Sequence, residues 1–570
     1  MPYRAPANDI EFILNEIVDF DRVRQMPRFS EVDADTVSAI LEEAAKLASD
    51  VMAPLNHGSD QCGAVLKDGH VICSPGFGDA YKEIAQGGWV GMLANAEFGG
   101  MGLPLALGTA VNDMMAGGCL SLSLNPLMTQ GQIEALEHHA SDQIKALYLP
   151  KLISGAWCGT MNLTESGAGS DVGALRTKAT RNSDGSYSIT GQKIFISWGD
   201  HDLAENICHL VLARLPDGVE GTKGISLFMV PKYIPNADGS LGAENALKAV
   251  SLEHKMGIHG SPTCVMEYEG AQGWLVGNEH QGMKCMFTMM NNARLGVGVQ
   301  GAGVAEAATQ KATDYALDRV QGRSMIENGT GTISDHASVR RLLMTMRSDT
   351  FAARSIALAC GTALDLGHDD ADQQALGAFL IPIAKAFATD AGHEVAQAGI
   401  QVHGGMGYIE ETGAAQFARD ARITSIYEGT NEIQAIDLVS RKLSDNGDAA
   451  FALLDEIETF AEAARAQRPV LAKAVWSAAE TLREGTEAML SLPLNDRLAG
   501  ATPFLFAFAR VLGAHYHLKA AIAAGKDSTR GKLAAFYIYQ MLPEYGPLLD
   551  QSRRGADDLY ALSAEELRIS

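Results

Sequence analysis

Apolar residues at the start of the chain recur at the spacing of an amphipathic helix, with Ile10, Ile13, Leu14 and Ile17 on one face of a 3.6-residue period. Residues from about 35 to 157 continue this pattern and are rich in Ala, Leu, Met and Glu, while Gly and Pro punctuate the loops between the periodic stretches. The first quarter of the chain is therefore predicted to be helical.

The pattern changes after residue 157, where short apolar or alternating runs lie between turn residues. These runs cover residues 187–197, 207–212, 225–230 and 264–268. Helical periodicity returns at about residue 282 and persists to residue 442, and a turn-rich stretch, 443–448, separates it from a last helical segment that starts at 451. We therefore predict a mainly α protein with a central β domain.

We predict five units along the chain: an N-terminal extension helix (1–36), an N-terminal α domain (37–157), a middle β domain (158–279), a C-terminal helical bundle (280–445) and an additional helical domain (446–570). The most apolar run, 504–514, is interrupted by Arg510 and is too short to span a bilayer. It is predicted to be a buried helix, so no membrane insertion is expected.

The composition limits the classes of partner. Of the 570 residues 46% are hydrophobic, which suits a large buried core, and 45 Lys and Arg against 69 Asp and Glu give a net charge of -24. This charge repels nucleic acid and anionic membrane surfaces, so any site for an anionic ligand must be locally basic. The eight cysteines form no CxxC pair, and no His or Cys spacing indicates a metal. The start of the chain resembles no secretion signal. We therefore expect a cytoplasmic protein with reduced thiols.

Three segments carry candidate chemistry. Thr164-Glu-Ser-Gly-Ala-Gly-Ser-Asp171 offers backbone N–H groups unhindered by side chains, as a phosphate or flavin site requires, although such a loop beside a β domain is also an ordinary turn. Gln401-Val-His-Gly-Gly-Met-Gly-Tyr408 can bring backbone close to a ligand or simply end a helix. The third segment is Ile426-Tyr-Glu-Gly-Thr-Asn-Glu-Ile-Gln434. Its apolar and aromatic residues favour a raised pKa for Glu428, which a base that removes a carbon-bound proton requires. The alternative is that Glu428 is a solvated carboxylate at a helix start.

In this order, and on both sides of a β domain, the three segments resemble the acyl-CoA dehydrogenase family over residues from about 37 to 445. Also similar are 191–197, Lys255-Met-Gly257, Asn292-Ala-Arg-Leu-Gly296 and Tyr315-Ala-Leu-Asp-Arg319. The resemblance implies the family's fold: an N-terminal α domain, a middle β barrel-like domain and a C-terminal four-helix bundle, followed here by an extra helical domain. It also implies an FAD-dependent enzyme that removes two hydrogens from the α and β carbons of an acyl-CoA.

The resemblance assigns roles to particular residues. Glu428 matches the family's catalytic base, which takes the α proton while the β hydrogen leaves as hydride to the flavin. Arg294 matches a substrate-side arginine, although an arginine at a helix start can also anchor a loop by an ion pair. The implied cofactor-binding residues are Leu163, Thr164, Gly169, Ser170, Phe195, Ser197, Arg319, Gln321, Gln401, Gly404, Gly405, Thr430 and Glu432.

Some of these matches imply partners. Gln401, Gly404 and Gly405 match a segment that contacts the adenosine half of FAD from a neighbouring subunit, so a homo-oligomer, either dimer or tetramer, is expected. An electron-transfer flavoprotein is the electron acceptor that the resemblance implies.

Three departures from the family pattern affect the predicted cofactor site. Ser166 stands where the first loop usually has Pro, which removes no donor because Pro has no N–H. Phe195 stands where members commonly place Trp over the flavin, so stacking should survive with a smaller contact area. Arg319 is followed by Val320-Gln-Gly-Arg323 rather than by Phe-Gly, which leaves the phosphate contacts open.

The opening helix and the segment from 451 are additions to the usual family length, and both resemble a subgroup of large members that includes 3-methylmercaptopropionyl-CoA dehydrogenases. The resemblance implies a short thioether acyl-CoA as substrate, desaturated to 3-methylthioacryloyl-CoA in the breakdown of dimethylsulfoniopropionate. General oxidation of short or medium acyl-CoA is the alternative. The Met-rich stretch 283–290 fits a helix core better than a thioether pocket.

Two rival functions use the same fold. An acyl-CoA oxidase passes its electrons to oxygen, and the sequence discriminates this poorly. A flavoprotein of the alkylation response associates with DNA through its helical C-terminal part, which requires a basic stripe. Residues 451–570 mix acids and bases instead, as in Arg553-Arg-Gly-Ala-Asp-Asp558, so DNA binding is not expected.

Overall fold

The computed structural model describes residues 2–568. The N-terminal part consists of the helices α1 (Ala7–Glu16), α2 (Phe20–Arg24), α3 (Ala34–Lys46), α4 (Ala53–Cys62), α5 (Phe77–Gln86), α6 (Leu105–Gly118), α7 (Leu120–His139) and α8 (Asp142–Ile153). The predicted face of α1 is confirmed, because Ile10, Ile13 and Leu14 are fully buried. Helix α3 begins at an N-cap, where the Asp33 carboxylate accepts the backbone N–H of Thr36 at 2.8 Å.

This helical part contains a hairpin that was not predicted from the sequence. Strands β1 (Val65–Lys67) and β2 (His70–Ile72) pair antiparallel around Asp68 and Gly69, which have φ angles of 52° and 82°. An Asp-Gly pair with two positive φ angles is typical of a two-residue hairpin turn. The three-residue strands are too short to show alternation, so only the turn could have indicated them.

The middle part is a β domain. Its strands are β3 (Trp157–Asn162), β4 (Lys178–Arg181), β5 (Tyr187–Ser197), β6 (Asn206–Arg214), β7 (Ile225–Pro231), β8 (Tyr233–Pro235), β9 (Leu241–Glu244), β10 (Leu247–Leu252) and β11 (Thr263–Val276). Five of these strands form a closed sheet, in which β4 pairs with β5, β5 with β11, β11 with β7, β7 with β6, and β6 with β4. The expected barrel-like domain is thus confirmed. Strand β3 extends it by pairing parallel with β6.

The next part is the bundle, with α9 (Gly282–Asp318), α10 (Ala337–Leu366), α11 (Ala371–His403), α12 (Ala414–Arg422) and α13 (Asn431–Asp437). Helices α9 and α11 touch backbone to backbone. A Cβ at Gly301 would lie 2.2 Å from the carbonyl oxygen of Ala388, and one at Gly392 would lie 2.6 Å from the carbonyl oxygen of Gly301. Met286 and Met289 are fully buried on α9, so the helix-core interpretation of the Met-rich stretch is confirmed for them.

The additional C-terminal helices are α14 (Asp448–Ala464), α15 (Pro469–Ser491), α16 (Leu494–Ala499), α17 (Ala501–Ala524), α18 (Thr529–Phe536) and α19 (Tyr545–Ser552). The buried helix predicted for 504–514 is α17. Phe508 on α17 packs its ring 5.1 Å from that of Phe379 on α11, and Arg510 forms an ion pair with Asp349 on α10. One continuous hydrophobic core runs from α1 to α19.

The N-terminal residues are tied to the bundle through backbone groups. The backbone N–H of Arg4 donates to the amide oxygen of Gln310 at 3.0 Å, and the amide nitrogen of Gln310 donates back to the carbonyl of Arg4 at 2.7 Å. Within residues 2–568, one helical stretch, Ala371–Tyr408, has the length and composition of a membrane span, and 78% of its apolar window is buried inside the molecule. This burial is that of a core helix.

Candidate active site

Glu428 lies on a tight turn between α12 and α13. After α12 ends at Arg422, the chain makes one 3-10 turn over Ile423–Ser425 and enters α13 at Asn431. Glu428 and Gly429 both have left-handed backbone conformations, with φ angles of 54° and 84°. This conformation is ordinary for glycine but strained for glutamate, and such strain concentrates at functional sites.

Side chains at the start of α13 hold the turn. The side-chain amide of Gln434 donates to the carbonyl of Glu428 at 3.3 Å and to that of Gly429 at 3.2 Å. Thr430 is the N-cap of α13 and accepts the backbone N–H of Ile433 at 3.3 Å. The predicted residues Thr430 and Glu432 therefore both lie close after Glu428, at the start of α13, where the side chain of Glu432 is exposed.

Two cations face the Glu428 carboxyl, Arg294 from α9 and Lys385 from α11. Burial raises the pKa of Glu428 to about 7, and the charges of Arg294 and Lys385 oppose that rise. A carboxyl with a pKa near neutrality can take a proton from a bound molecule and release it again. The arrangement is therefore that of a general base.

Arg294 is buried and ion-paired. Its Nη1 lies 3.3 Å from a carboxylate oxygen of Asp437 on α13, and burial lowers its pKa while the charges of Asp437 and Glu428 raise it. A Cβ at Gly429 would lie 3.9 Å from Nη2 of Arg294. The helix-start position considered for Arg294 is wrong, because Arg294 lies in the interior of α9. Its ion pair is with Asp437 on α13 rather than with a preceding loop, and it lies beside Glu428.

Lys385 is a site residue that the sequence analysis missed. Its ammonium donates to the carbonyl of Gly429 at 2.8 Å and to the side-chain oxygen of Asn431 at 2.9 Å. Burial lowers the pKa of Lys385 to about 8, and the charge of Glu428 opposes that fall. The available signal was a lysine inside the apolar run 383–388 of a predicted core helix.

Tyr427 ties the same turn to α9. Its hydroxyl donates to the side-chain oxygen of Gln300, and burial raises the pKa of Tyr427 so that the hydroxyl stays protonated. The turn is thus held from both long helices, by Gln300 on α9 and by Lys385 on α11.

The loop after β3 is tied to β5 by a buried lysine that the sequence analysis also passed over. The ammonium of Lys193 donates to the carbonyl of Leu163 at 2.9 Å and to the carboxylate of Glu165 at 2.8 Å. The backbone N–H of Ile194 donates to the carbonyl of Thr164 at 2.9 Å. Burial lowers the pKa of Lys193 to about 8, while Glu165 opposes that fall. The start of the loop is thereby held against β5.

The tip of this loop is open. Gly169 and Ser170 are exposed, and a Cβ at Gly167 or Gly169 would meet no atom within 4 Å. Among residues 2–568, the backbone N–H groups of Gly167, Gly169 and Ser170 donate to no protein acceptor. Several free N–H groups on one exposed loop form a site that suits an anion.

The strand beside the loop presents an aromatic ring. Phe195 on β5 has a φ angle of 60° and its side chain is 58% exposed, which is unusual for so large an apolar residue. Two residues further, the carbonyl of Ser197 accepts the hydroxyl of Thr160 at 2.8 Å. The exposed ring is a surface on which a planar group can stack.

A second set of predicted residues lies at one end of the bundle. These residues, all of them exposed, are Arg319, Gln321, Gln401, Gly404 and Gly405. The rings of Tyr315 near the end of α9 and His403 at the end of α11 stack 4.4 Å apart, so the two helices end side by side. A Cβ at Gly404 or Gly405 would meet no atom within 4 Å. This end of the bundle is an open surface in the single chain.

Family models match four successive parts of the chain. They are the acyl-CoA dehydrogenase N-terminal domain (residues 35–156), middle domain (160–271) and C-terminal domain (280–443), and the acetyl-CoA dehydrogenase C-terminal-like domain (453–563). The chain belongs to the acyl-CoA dehydrogenase family. This acyl-CoA dehydrogenase is an FAD-dependent oxidoreductase that acts on acyl-CoA thioesters, as the resemblance implied.

Two relatives match the acyl-CoA dehydrogenase over nearly its whole length. The 3-methylmercaptopropionyl-CoA dehydrogenase of Ruegeria pomeroyi is 43% identical over 552 residues, which are 94% of each chain. A butyryl-CoA dehydrogenase of Syntrophomonas wolfei is 33% identical over 583 residues, which are 95% of each chain. Among solved structures, the acyl-CoA dehydrogenase complexed with FAD from Bacillus anthracis matches the fold with a TM-score of 0.75 and 20% identity, over 99% of this chain and 94% of that one.

Proposed function

We propose that Glu428 is the base of this dehydrogenase and removes the α proton of the acyl-CoA, while the hydrogen on the β carbon leaves as hydride. FAD, when bound, supplies the hydride acceptor. The observation that carries this proposal is the left-handed turn that holds the Glu428 carboxyl between Arg294 of α9 and Lys385 of α11, where its pKa is raised to about 7.

The pKa values of base and substrate have to approach each other for this proton transfer. Hydrogen bonds to the thioester carbonyl make the α proton more acidic, and an acyl chain that expels water raises the pKa of the carboxyl further. Arg294 supports the charged form of Glu428 before substrate binds, because its positive charge lowers the carboxyl pKa.

We propose that the loop after β3 and the adjoining strand hold the flavin. The residues are Leu163, Thr164, Gly169 and Ser170 on the loop, Phe195 and Ser197 on β5, and Thr430 and Glu432 beside the base. The free N–H groups at the loop tip and the exposed Phe195 ring fit a group that has both a phosphate and a planar ring.

Arg319, Gln321, Gln401, Gly404 and Gly405 are proposed to bind the phosphates and the adenosine half of FAD, the last three from a neighbouring subunit. Their exposure in the single chain favours this, because an intersubunit site is incomplete in one chain. The working enzyme is then a homo-oligomer, its electron acceptor an electron-transfer flavoprotein, and its location the cytoplasm.

The proposed substrate is 3-methylmercaptopropionyl-CoA, and its product 3-methylthioacryloyl-CoA. The 43% identity over 94% of both chains to an enzyme of that name supports this choice over a straight-chain acyl-CoA. The two relatives share the additional N- and C-terminal parts, so those parts do not distinguish the thioether from a butyryl substrate.

Replacing Glu428 by Gln tests the base. The amide keeps the size of the side chain but cannot accept the proton, so FAD content and acyl-CoA binding should be unchanged while anaerobic flavin reduction slows by at least about 100-fold. Glu462→Gln, an exposed glutamate on α14, is the matched control and should reduce its flavin at the wild-type rate. A wild-type rate in Glu428→Gln would remove the assignment.

Anaerobic bleaching of the bound flavin tests the substrate. 3-Methylmercaptopropionyl-CoA is compared with butyryl-, octanoyl- and a branched acyl-CoA, and it should reduce the flavin at least as fast as the best of these. A faster straight-chain or branched ester would redirect the assignment to general acyl-CoA oxidation. Hydrogen peroxide formed in air at the rate of turnover would favour an oxidase instead.

A further inference from the structure

Lys385 is a fully buried lysine in the middle of α11. Its helix neighbours Ile383 and Phe387 are buried as well, so Lys385 belongs to a buried stretch of α11. A buried charge is unfavourable unless it is paired and hydrogen-bonded, and lysine is almost never fully buried without such partners. The partners of this ammonium therefore account for its presence.

Both hydrogen bonds of the ammonium reach the turn that carries Glu428. One is the 2.8 Å bond to the carbonyl of Gly429, the residue directly after the base. The other is the 2.9 Å bond to the side chain of Asn431, whose amide nitrogen also donates to Asp390 at 2.7 Å and to the carbonyl of Ala386 at 3.2 Å. The turn is thus attached to one helix by a connected set of bonds.

The bond from Lys385 reaches the residue directly after the strained one, Glu428. The Gly429 carbonyl follows two successive residues with left-handed φ angles, 54° at Glu428 and 84° at Gly429. A glutamate in this conformation persists only where the surroundings hold it there. The 2.8 Å bond from Lys385 acts one residue from the carboxylate-bearing Cα.

We propose that Lys385 is a positioning residue for the dehydrogenation, whose ammonium holds the Glu428 turn in its left-handed conformation and places a positive charge beside Glu428. This inference rests on the proposed function of Glu428. Lys385 on α11 would thus hold the turn in place, which neither the cofactor loop nor Glu428 itself does.

Charged groups from three elements face this pair. Arg294 comes from α9, Asp390 from α11 and Glu432 from α13, and Tyr427 precedes the base on its own turn. Arg294 and Lys385 both act to lower the pKa of Glu428 against the effect of burial. Removing the Lys385 charge leaves Arg294 alone in this role, so the pKa of Glu428 should rise.

Lys385→Met in the full-length, FAD-loaded enzyme is the first test. Met has a similar length and volume but provides neither charge nor donor. At saturating acyl-CoA and about pH 7, anaerobic flavin reduction should slow by at least about tenfold. The pH at which reduction is half-maximal should move upward by more than about 0.5 pH unit.

The matched control is Lys519→Met. Lys519 lies on α17, is also largely buried, and lies 3.9 Å from a carboxylate, that of Glu456. It should keep both the wild-type reduction rate and the wild-type pH midpoint. A residue with a merely structural role would lower the melting temperature without moving that midpoint, so a folded Lys385→Met enzyme with wild-type rate and midpoint would overturn the proposal.

Lys385→Arg is the second variant, and it replaces Lys385→Met in the test if Lys385→Met fails to fold. Arginine keeps the charge, but its planar guanidinium cannot place donors where the compact ammonium does. The midpoint should then stay near that of the wild type while the rate still falls, and an unchanged rate would overturn the positioning role. Glu428→Gln is measured beside it: activity in that variant would refute the base itself, whereas an inactive Glu428→Gln together with fully active Lys385 variants would refute only this inference.

Discussion

At the scale of single residues, the Glu428 carboxyl is governed by opposing effects. Burial favours its neutral form, while the guanidinium of Arg294 and the ammonium of Lys385 favour its charged form. Burial is the larger effect, so the pKa lies at about 7 rather than at the ordinary value of 4.5. The group can therefore exist in both protonation states near neutral pH.

A pH profile follows from that value. Only the deprotonated carboxylate can accept the α proton, so kcat/KM should rise with pH and reach half of its plateau near pH 7, the pKa of Glu428 in the free enzyme. The measurement is kcat/KM for the best acyl-CoA with an artificial electron acceptor whose own reaction does not depend on pH. A midpoint near pH 4.5 would instead describe a solvated carboxylate.

At the scale of elements, the contact between α9 and α11 depends on residues without side chains. Gly301 and Gly392 let the two backbones approach so closely that an added Cβ meets a carbonyl oxygen of the other helix. Since Arg294 belongs to α9 and Lys385 to α11, this contact sets the separation of the two cations that face Glu428. The spacing of the helices is therefore part of the site.

Gly301→Ala should disturb this contact. The new Cβ would lie 2.2 Å from the carbonyl of Ala388, so the helices must move apart, and the free energy of unfolding should fall by about 1–3 kcal/mol, the usual effect of overpacking. Urea unfolding followed by circular dichroism measures it. Gly78→Ala on α5 is the control, because a Cβ there meets nothing within 4 Å, and it should be neutral or slightly stabilising. Equal stability of the two variants would contradict the argument.

The strands of the β domain differ in how well their extent could be predicted from the sequence. Strand β5 runs over Tyr187–Ser197, as its alternation indicated, whereas β11 was expected only at 264–268 and extends over Thr263–Val276. The later half of β11 contains Gly270 and Gly273 and shifts register after Glu269, so it looked like a turn. Local patterns cannot reveal that such a strand pairs with three others.

The same limit applies to the site. Glu428 and the glycine-rich loops were found in the sequence because each lies in a short motif, and the resemblance that their order along the chain carries implied their roles. Lys193 and Lys385 are recognisable only once distant segments meet: their partners Leu163 and Gly429 lie in other elements. The hydrophobic periodicity shows that such a lysine lies on a helix or strand face that is otherwise apolar. It does not show which group accepts the hydrogen bonds of the ammonium.

At the scale of the whole molecule, the parts at both ends belong to the same core as the family domains. Phe508 of α17 packs on Phe379 of α11, and Gln310 of α9 exchanges two hydrogen bonds with Arg4. The additional helical domain therefore shares one hydrophobic core with the bundle. We expect the chain to unfold as one unit.

Phe508→Ala tests this expectation. Removing a fully buried ring should lower the free energy of unfolding by about 3–5 kcal/mol, and release of the flavin and loss of helix should still coincide in one transition. Flavin fluorescence and far-UV circular dichroism are followed during the same thermal scan. Val470→Ala, at a position that is 62% exposed, should change little. Flavin release that is unaffected by Phe508→Ala would indicate an independent C-terminal domain.

The strained conformation and burial of Glu428 have a consequence for how the enzyme can evolve. A left-handed glutamate costs about 1–2 kcal/mol, and a carboxyl whose pKa is raised to about 7 loses folding stability as pH rises from about 4.5 toward 7, because the native state then binds more protons than the unfolded chain. Glu428, the proposed base, is therefore opposed by selection for stability and retained by selection for turnover. In a lineage released from the need for the reaction, substitutions at this position should be among the first to accumulate, and they should leave a more stable protein that still folds.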